Sequence, residues 1–285
     1  MWGAPLQLVD GDFEVSFDRK RYREAAAVVF HIPEWRNLRR HFLPPKQSGQ
    51  VWVAWSKECA KNYPLLEDPR FLQRFELTMT YRLNCDVPIP YVDEFDPEEL
   101  RQPGSPKSKP LVCAFLSSRF NRSRRLQYFD QLCRWIEVDS YGKYRRNCRL
   151  EPDLGRSSKV RAMARYPFTL AFENACGVDY VTEKLYDPMR AGSLPGSMGA
   201  PNANWFAPAP KSYIDVRDFA TPRHLAQYLI HLSQNPAEYD AYFEWKDQPF
   251  QASFQALLSW QSNHWYDRLC GCLAGFRRGI GNQRS

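Results

Sequence analysis

The chain has 285 residues, a formal net charge of +7, 44% hydrophobic and 25% charged residues, which is the composition of a globular protein long enough for two domains. Its Lys and Arg cluster at 119–125, 143–149 and 277–284. These clusters would attract anions, but no zinc-finger, RNP-like or helix-turn-helix spacing accompanies them, so no nucleic-acid partner is expected. No apolar run reaches the roughly 18 residues that span a bilayer, and the N-terminus lacks the basic and apolar regions of a signal peptide.

In chain order, 13–17 alternates with period two, 20–25 reads as a brief basic helix and 27–32 as a buried strand. A helix is expected over 33–42, a strand over 51–55, a helix over 69–75 and an extended segment over 77–81. Short apolar strands alternating with helices point to a parallel α/β layer. The stretch 93–110 turns acidic and then rich in Pro, Ser and Gly, as a linker would. A second α/β series follows: a strand at 111–116, a helix at 124–136, a strand at 137–142 and a helix at 159–165. Further strands are expected at 192–198 and 213–216, a helix at 221–233 and a long helix at 252–268. The expected domains are therefore 1–100, a linker at 101–110, 111–245, and a C-terminal helix with a basic tail at 246–285.

Eight scattered cysteines, of which only Cys270 and Cys272 are close-spaced, fit a reduced protein with Cys113 and Cys133 in the core and no zinc site. Asn121-Arg122-Ser123 is a formal glycosylation sequon that has meaning only in a secretory compartment.

The most specific stretch is 166–188, YPFTLAFENACGVDYVTEKLYDP. Its apolar run reads as a buried strand ending at Glu173-Asn174, followed by a loop and a helix that either Asp179 or Thr182 could cap. A polar cluster between a strand's C-terminal end and a helix N-terminus is where open α/β sheets bind ligands. Helical spacing would put Tyr180, Glu183, Lys184 and Asp187 on one face, suited to an anionic, nucleotide-like ligand.

Phe172-Glu173-Asn174 followed by Asp179-Tyr180-Val181-Thr182-Glu183-Lys184-Leu185 resembles the signature of the α-1,3/4-fucosyltransferases of glycosyltransferase family 10. Tyr22 and 25–31, 75–82 with Asp86 and Pro90-Tyr91, Val138 with Tyr141-Gly142, and Gly199-Ala200-Pro201-Asn202 are similar to other family segments in the same order. The resemblance spans roughly 14–235. It implies a GT-B fold, two Rossmann-like domains facing across a cleft, and transfer of fucose from GDP-β-L-fucose to a glycan hydroxyl with inversion. The implied partners are GDP-fucose and an oligosaccharide or glycoconjugate acceptor, most simply α-1,3 to GlcNAc or Glc. No cofactor is required, a divalent metal being at most stimulatory, because no D-x-D motif places metal-binding carboxylates in the donor half.

Carried over by position, Lys184 and Arg125 are the cations for the diphosphate, and Asn174, Tyr180 and Glu183 line the donor site. Glu173, Tyr141 and Gly142 are further donor-pocket positions, and Glu58, just after a strand, is the catalytic base. Four departures stand out. Glu58 sits in Trp-Ser-Lys-Glu-Cys-Ala rather than the family's Glu-Ser-Pro context. Gly196-Ser197 replaces two β-branched residues in a central strand, Asp187-Pro188 should bend the signature helix early, and the chain starts where the family's first strand is already under way. They leave a second reading open, an inactive or differently specific nucleotide-sugar-binding GT-B protein. The expected location is cytoplasmic, or peripheral to a membrane through the basic tail, if the source is bacterial; it is the Golgi lumen if a membrane anchor lies outside this chain.

Overall fold

A computed structural model describes residues 14–37, 43–103, 110–260 and 264–282. By contact the chain divides into two compact units, one of Met1–Ile89 with Asn263–Ser285 and one of Pro90–Ser262.

The first unit is built on a parallel sheet in the order β1 (Ala27–His31), β2 (Val51–Ser56), β3 (Leu77–Thr80), β4 (Val87–Pro88). Register runs Val29 to Val53 and Val53 to Leu77. β2 is central, so both of its faces are covered and it reads as a continuous apolar run. Val51 and Val53 pack with Leu77, Met79, Leu269 and Leu273, the last two from helix α8 (Trp265–Asn282). Trp52 and Ala54 face the other way, onto Ile32, Phe71 and Phe75.

Several elements differ from expectation. Residues 14–18 are irregular, Arg19–Arg23 and Ile32–Asn37 are 3-10 turns, and α1 is only Pro69–Leu72. Asp18 and Asp68 cap Arg19–Arg23 and α1, and Pro33 lies in Ile32–Asn37. Phe13 and residues 38–42 lie outside the described residues.

The second unit carries a five-stranded parallel sheet in the order β6-β5-β7-β8-β9. Its strands are β5 (Val112–Ala114), β6 (Val138–Ser140), β7 (Phe168–Phe172), β8 (Leu194–Met198) and β9 (Ile214–Asp215). Helices α2 (Arg125–Leu132) and α5 (Pro222–Gln234) pack on one face through Phe129, Leu132, Leu225 and Leu229. On the opposite side, Met163 of α3 (Arg156–Met163) meets Cys113, Tyr166 and Ala191, where α4 (Glu183–Arg190) ends. Two short helices, α6 (Pro236–Asp240) and α7 (Ala252–Leu258), complete the unit.

Three expectations change here. The acidic part of the expected linker stretch is folded into the second unit: Tyr91–Glu94 and Pro97–Arg101 form 3-10 turns, with Val92 and Leu100 fully buried. The expected helix at 252–268 is two helices, α7 in the second unit and α8 in the first, with 261–263 between them outside the described residues. Helix α4 runs through Pro188 to Arg190 and stops at Gly192, whose φ of 64° suits a residue without a Cβ.

The Gly196-Ser197 departure leaves β8 intact. All five of its residues are buried and paired with β7 from Phe168–Leu194 to Phe172–Met198. A Cβ built on Gly196 would meet only Leu170 Cδ2, at 3.7 Å, an ordinary contact. Cys113 is in the core beside Thr169, while Cys133 is only half-buried. Among the described residues no helix is long and apolar enough to cross a membrane. The side chains of the basic tail at 277–284 lie outside the described residues.

Candidate active site

In the second sheet, β5 lies between β6 and β7, so the chain leaves it in opposite directions. The crevice beyond the carboxyl ends of β5 and β7 is therefore the topological switch point, where open α/β sheets take their ligands. The signature residues gather there. Ser123 Oγ donates to the Glu173 carbonyl at 2.6 Å, and Ser123 N to the Asn174 carbonyl at 3.2 Å. Arg125 is 1% exposed; its Nη1 donates to the Phe172 carbonyl at 2.7 Å and its Nη2 to the Ser118 carbonyl at 3.1 Å. Arg125 thus staples the end of β7 to the loop after β5. Burial lowers its pKa, against the opposing pull of Glu173, Tyr180 and Glu183. The structure places this guanidinium on backbone carbonyls, which the exposed-looking run Arg122, Arg124, Arg125 does not signal.

Thr182 caps α4, its Oγ1 accepting from Lys184 N at 3.3 Å. The capping position settles the alternative left open by the sequence. Asp179 stands earlier, at φ 65°, where its N–H donates to Asn202 Oδ1 at 3.0 Å and its Oδ1 accepts from Asn202 Nδ2 at 2.8 Å. Tyr180 consequently precedes the helix and does not share its face with Glu183, Lys184 and Asp187. It is buried, with its ring edge-on to Tyr91 at 6.4 Å. Asp187 also leaves the expected group: its Oδ1 accepts from Arg156 Nε at 2.9 Å, with Arg190 Nη1 at 3.4 Å.

Lys184 and two carboxylates form the charged centre. Lys184 Nζ lies 3.2 Å from Glu173 Oε2, 3.0 Å from Glu183 Oε1 and 3.0 Å from Thr182 Oγ1. Burial pulls the Lys184 pKa down, but Glu173 and then Glu183 outweigh it and the net shift is upward, so Lys184 stays a cation. Glu173 is 3% exposed, and its Oε1 accepts from Thr182 N at 3.0 Å and Thr182 Oγ1 at 2.6 Å. Burial raises its pKa, with Lys184 and Thr182 opposing. Burial also acts upward on Glu183, but there Lys184 prevails and the pKa falls. Asn174 is buried beside this centre in sequence.

Tyr141 stacks on Phe115, with ring centroids 5.0 Å apart and 8° between planes. Its hydroxyl is 2.8 Å from that of Tyr166, which donates to Asp139 Oδ2 at 2.6 Å. Gly142 follows with a steric requirement: a Cβ there would fall 2.2 Å from the Leu116 carbonyl oxygen. Glu58 belongs to the first unit, two residues past β2, half-buried, with its N–H donating to Ser56 Oγ at 3.0 Å. Among the described residues, no three His, Cys, Asp or Glu side chains group as a metal site requires.

Sequence reasoning missed Ser123, Asn202 and the second bond of Thr182. Gly199 belongs with them, because a Cβ at that position would press on Glu173 Cγ at 3.1 Å. Thr182 was legible as a cap, whereas its bond to Glu173 joins residues nine apart across a loop and carries no periodic signal.

Two parallel α/β sheets, the second with a charged crevice at its switch point, are the architecture of the GT-B fold. A crystal structure of an alpha1,3-fucosyltransferase shares the fold with a TM-score of 0.50, at 17% identity, covering 78% of this chain and 76% of that one. The family profile described as glycosyltransferase family 10 (fucosyltransferase) C-term matches residues 105–280, and the one described as fucosyltransferase, N-terminal matches residues 11–92. The chain belongs to glycosyltransferase family 10, the fucosyltransferases. It is 35% identical to a fucosyltransferase-like protein of Arabidopsis thaliana, over 80% of this chain and 44% of that protein. It is 32% identical to a 3-galactosyl-N-acetylglucosaminide 4-alpha-L-fucosyltransferase of Bos taurus, over 89% of this chain and 69% of that enzyme. The chain therefore spans less than half of the plant relative and about two thirds of the bovine one.

Proposed function

We propose that the chain transfers L-fucose from GDP-β-L-fucose to a hydroxyl of a GlcNAc- or glucose-containing glycan, forming an α-1,3 linkage with inversion. The observation that carries this reading is the Lys184 cation set among Glu173, Glu183 and Thr182 at the switch point of the second sheet. The bovine relative, a 3-galactosyl-N-acetylglucosaminide 4-alpha-L-fucosyltransferase, supports GlcNAc as the acceptor sugar.

In this scheme Lys184 bonds the diphosphate, and Asn174, Tyr180 and Glu183 hold the rest of the donor. Arg125 acts through its charge and through the two carbonyls it fixes. Glu58 removes the proton of the acceptor hydroxyl. The hydroxyl oxygen forms a bond to the anomeric carbon as the bond from that carbon to the β-phosphate oxygen breaks, and GDP leaves with the electron pair. Tyr141 and Gly142 shape the wall of the donor pocket.

The test is incubation of the purified chain with GDP-fucose and lactosamine-type, GlcNAc-core and lactose acceptors, with UDP- and CMP-sugars as competing donors. Fucosylated product and stoichiometric GDP are expected; no transfer to any acceptor refutes the reading. The commitment of Arg125 to backbone carbonyls supports one alternative, a protein that binds a nucleotide sugar without transferring it. That alternative predicts saturable GDP binding with no product.

A further inference from the structure

Lys184 already has three partners within the protein. Its Nζ contacts Glu173 Oε2 at 3.2 Å as well as Glu183 Oε1 and Thr182 Oγ1, both at 3.0 Å. Glu173 is held firmly in turn. Its Oε1 takes both the N–H and the hydroxyl of Thr182, and Gly199, by lacking a Cβ, leaves room for its stem.

The titratable groups that act on Glu173 come from two helices: Lys184, Glu183 and Tyr186 of α4, and Arg125 of α2, which Tyr180 of the preceding loop also influences. Two cations, Arg125 and Lys184, balance two carboxylates, Glu173 and Glu183, so these side chains are together close to neutral. A diphosphate brings several negative charges among them. Of the three Lys184 contacts, the one to Glu173 Oε2 is an ion pair and not a hydrogen bond, so it is the one Lys184 gives up to reach a phosphate oxygen. Glu173 would then be a buried carboxylate beside an anion with its nearest cation shared or lost. A buried group in that position sheds its charge.

We propose that Glu173 is a positioning residue of the donor site: it holds Lys184 in place before the donor binds and takes a proton from solvent when Lys184 turns to the diphosphate. The proposal rests on the reading of Lys184 as the diphosphate's partner. The exchange is balanced: Lys184 Nζ gives up its ion pair with Glu173 Oε2 for one with a phosphate oxygen, and a solvent proton bonds Glu173. Burial already holds the Glu173 carboxyl above the usual carboxylate range, so the added negative charge acts on a group poised to protonate. A group whose pKa rises on binding takes up protons, and affinity then increases as pH falls.

The experiment is a calorimetric titration of the full chain with GDP in two buffers of different protonation enthalpy, at about pH 8, where the terminal phosphate, with a second pKa near 6, is ionised in both states. Net uptake approaching about one proton per GDP is expected, with affinity rising by up to about tenfold for each unit of pH lowered from about 8.5 to 7. Glu173→Gln is expected to bind GDP with no uptake and a flat pH profile. GDP binding without proton uptake in the wild type overturns the proposal, as does uptake that survives Glu173→Gln. Should Glu173→Gln fail to fold, the infrared difference spectrum of the wild type with and without GDP decides: a protonated-carboxyl C=O band that appears with GDP supports the proposal, and its absence overturns it. A folded chain that gives no GDP binding in either buffer instead refutes the donor-site reading itself.

Discussion

Thr182 offers the sharpest test of how the site is held together. Its hydroxyl makes three contacts: it accepts from Lys184 N at 3.3 Å and Lys184 Nζ at 3.0 Å, and it donates to Glu173 Oε1 at 2.6 Å. Loss of a Thr N-cap costs about 0.5–2 kcal/mol. Loss of a hydrogen bond to a buried charged group costs about 1.5–3 kcal/mol, and Glu173 is too buried for water to replace it. Thr182→Ala should therefore lower unfolding free energy by about 2–5 kcal/mol. Thr182→Ser keeps the hydroxyl and loses one buried methyl, so it should cost only about 1 kcal/mol. Urea denaturation of both variants, followed by far-ultraviolet circular dichroism, measures the difference. A double-mutant cycle with Glu173→Gln then isolates the shared bond, with an expected coupling of about 1–3 kcal/mol. Equal midpoints for the Ala and Ser variants, or additivity in the cycle, would refute the view that one hydroxyl ties the helix cap to the buried carboxylate.

Gly142→Ala should destabilise by about 1–3 kcal/mol or more, because its Cβ would meet Leu116 backbone at 2.2 Å. Gly196→Ala, with only Leu170 Cδ2 at 3.7 Å, should be neutral or stabilising by about 0.5–1 kcal/mol; thermal unfolding separates the two. Lys184→Ala should weaken GDP binding at least about tenfold, and Glu58→Gln should abolish transfer while GDP binds as before; calorimetry and product formation read these separately. Arg156→Ala removes the closest cation from Asp187, whose side chain is 4% exposed. Burial already raises the Asp187 pKa, with Arg156 opposing. The folded form therefore binds the proton more tightly than the unfolded form, and this group favours folding increasingly as pH falls from the raised folded value toward the unfolded value of about 3.9. Arg156→Ala should steepen that gain, and urea midpoints between about pH 7 and 4.5 should show it; a pH profile parallel to the wild type would count against the assignment.

The alternation of buried strands and helices was legible because central parallel strands must be apolar on both faces, as β2 and β7 are. The crevice was legible too, since the strand ending at Phe172 and the capped helix after Thr182 mark a strand-to-ligand-to-helix turn. What escaped were facts set by distant partners. Arg122, Arg124 and Arg125 read alike, yet of the three only Arg125 meets a strand-end and a loop carbonyl and goes under. Tyr180 had helical spacing but falls before the cap, because the chain passes through a positive φ at Asp179. The acidic residues after Asp93 looked solvated. Glu94 and Glu99 instead pair with Arg156 and Arg190, from helices that begin far along the chain. Within 252–268 there is no Pro and no Gly to mark where one helix ends and the next begins.

Those acidic partners bear on where Lys184 sits. Helix α4 has eight residues, and Pro188 supplies no N–H to the Lys184 carbonyl. A helix this short is marginal by its own hydrogen bonds, so its position must come from what it packs against. At its N-terminal end Thr182 and Glu173 hold it to β7; toward its C-terminal end Asp187 bonds Arg156, and Arg190 bonds Glu99. Leu185, Tyr186 and Met189 fill the space between. The cation proposed for the diphosphate is therefore placed by polar ties at both ends of its helix, with a buried apolar middle. Asp187 follows Lys184 by three residues, less than one helical turn, so loosening its pair with Arg156 should shift Lys184 directly.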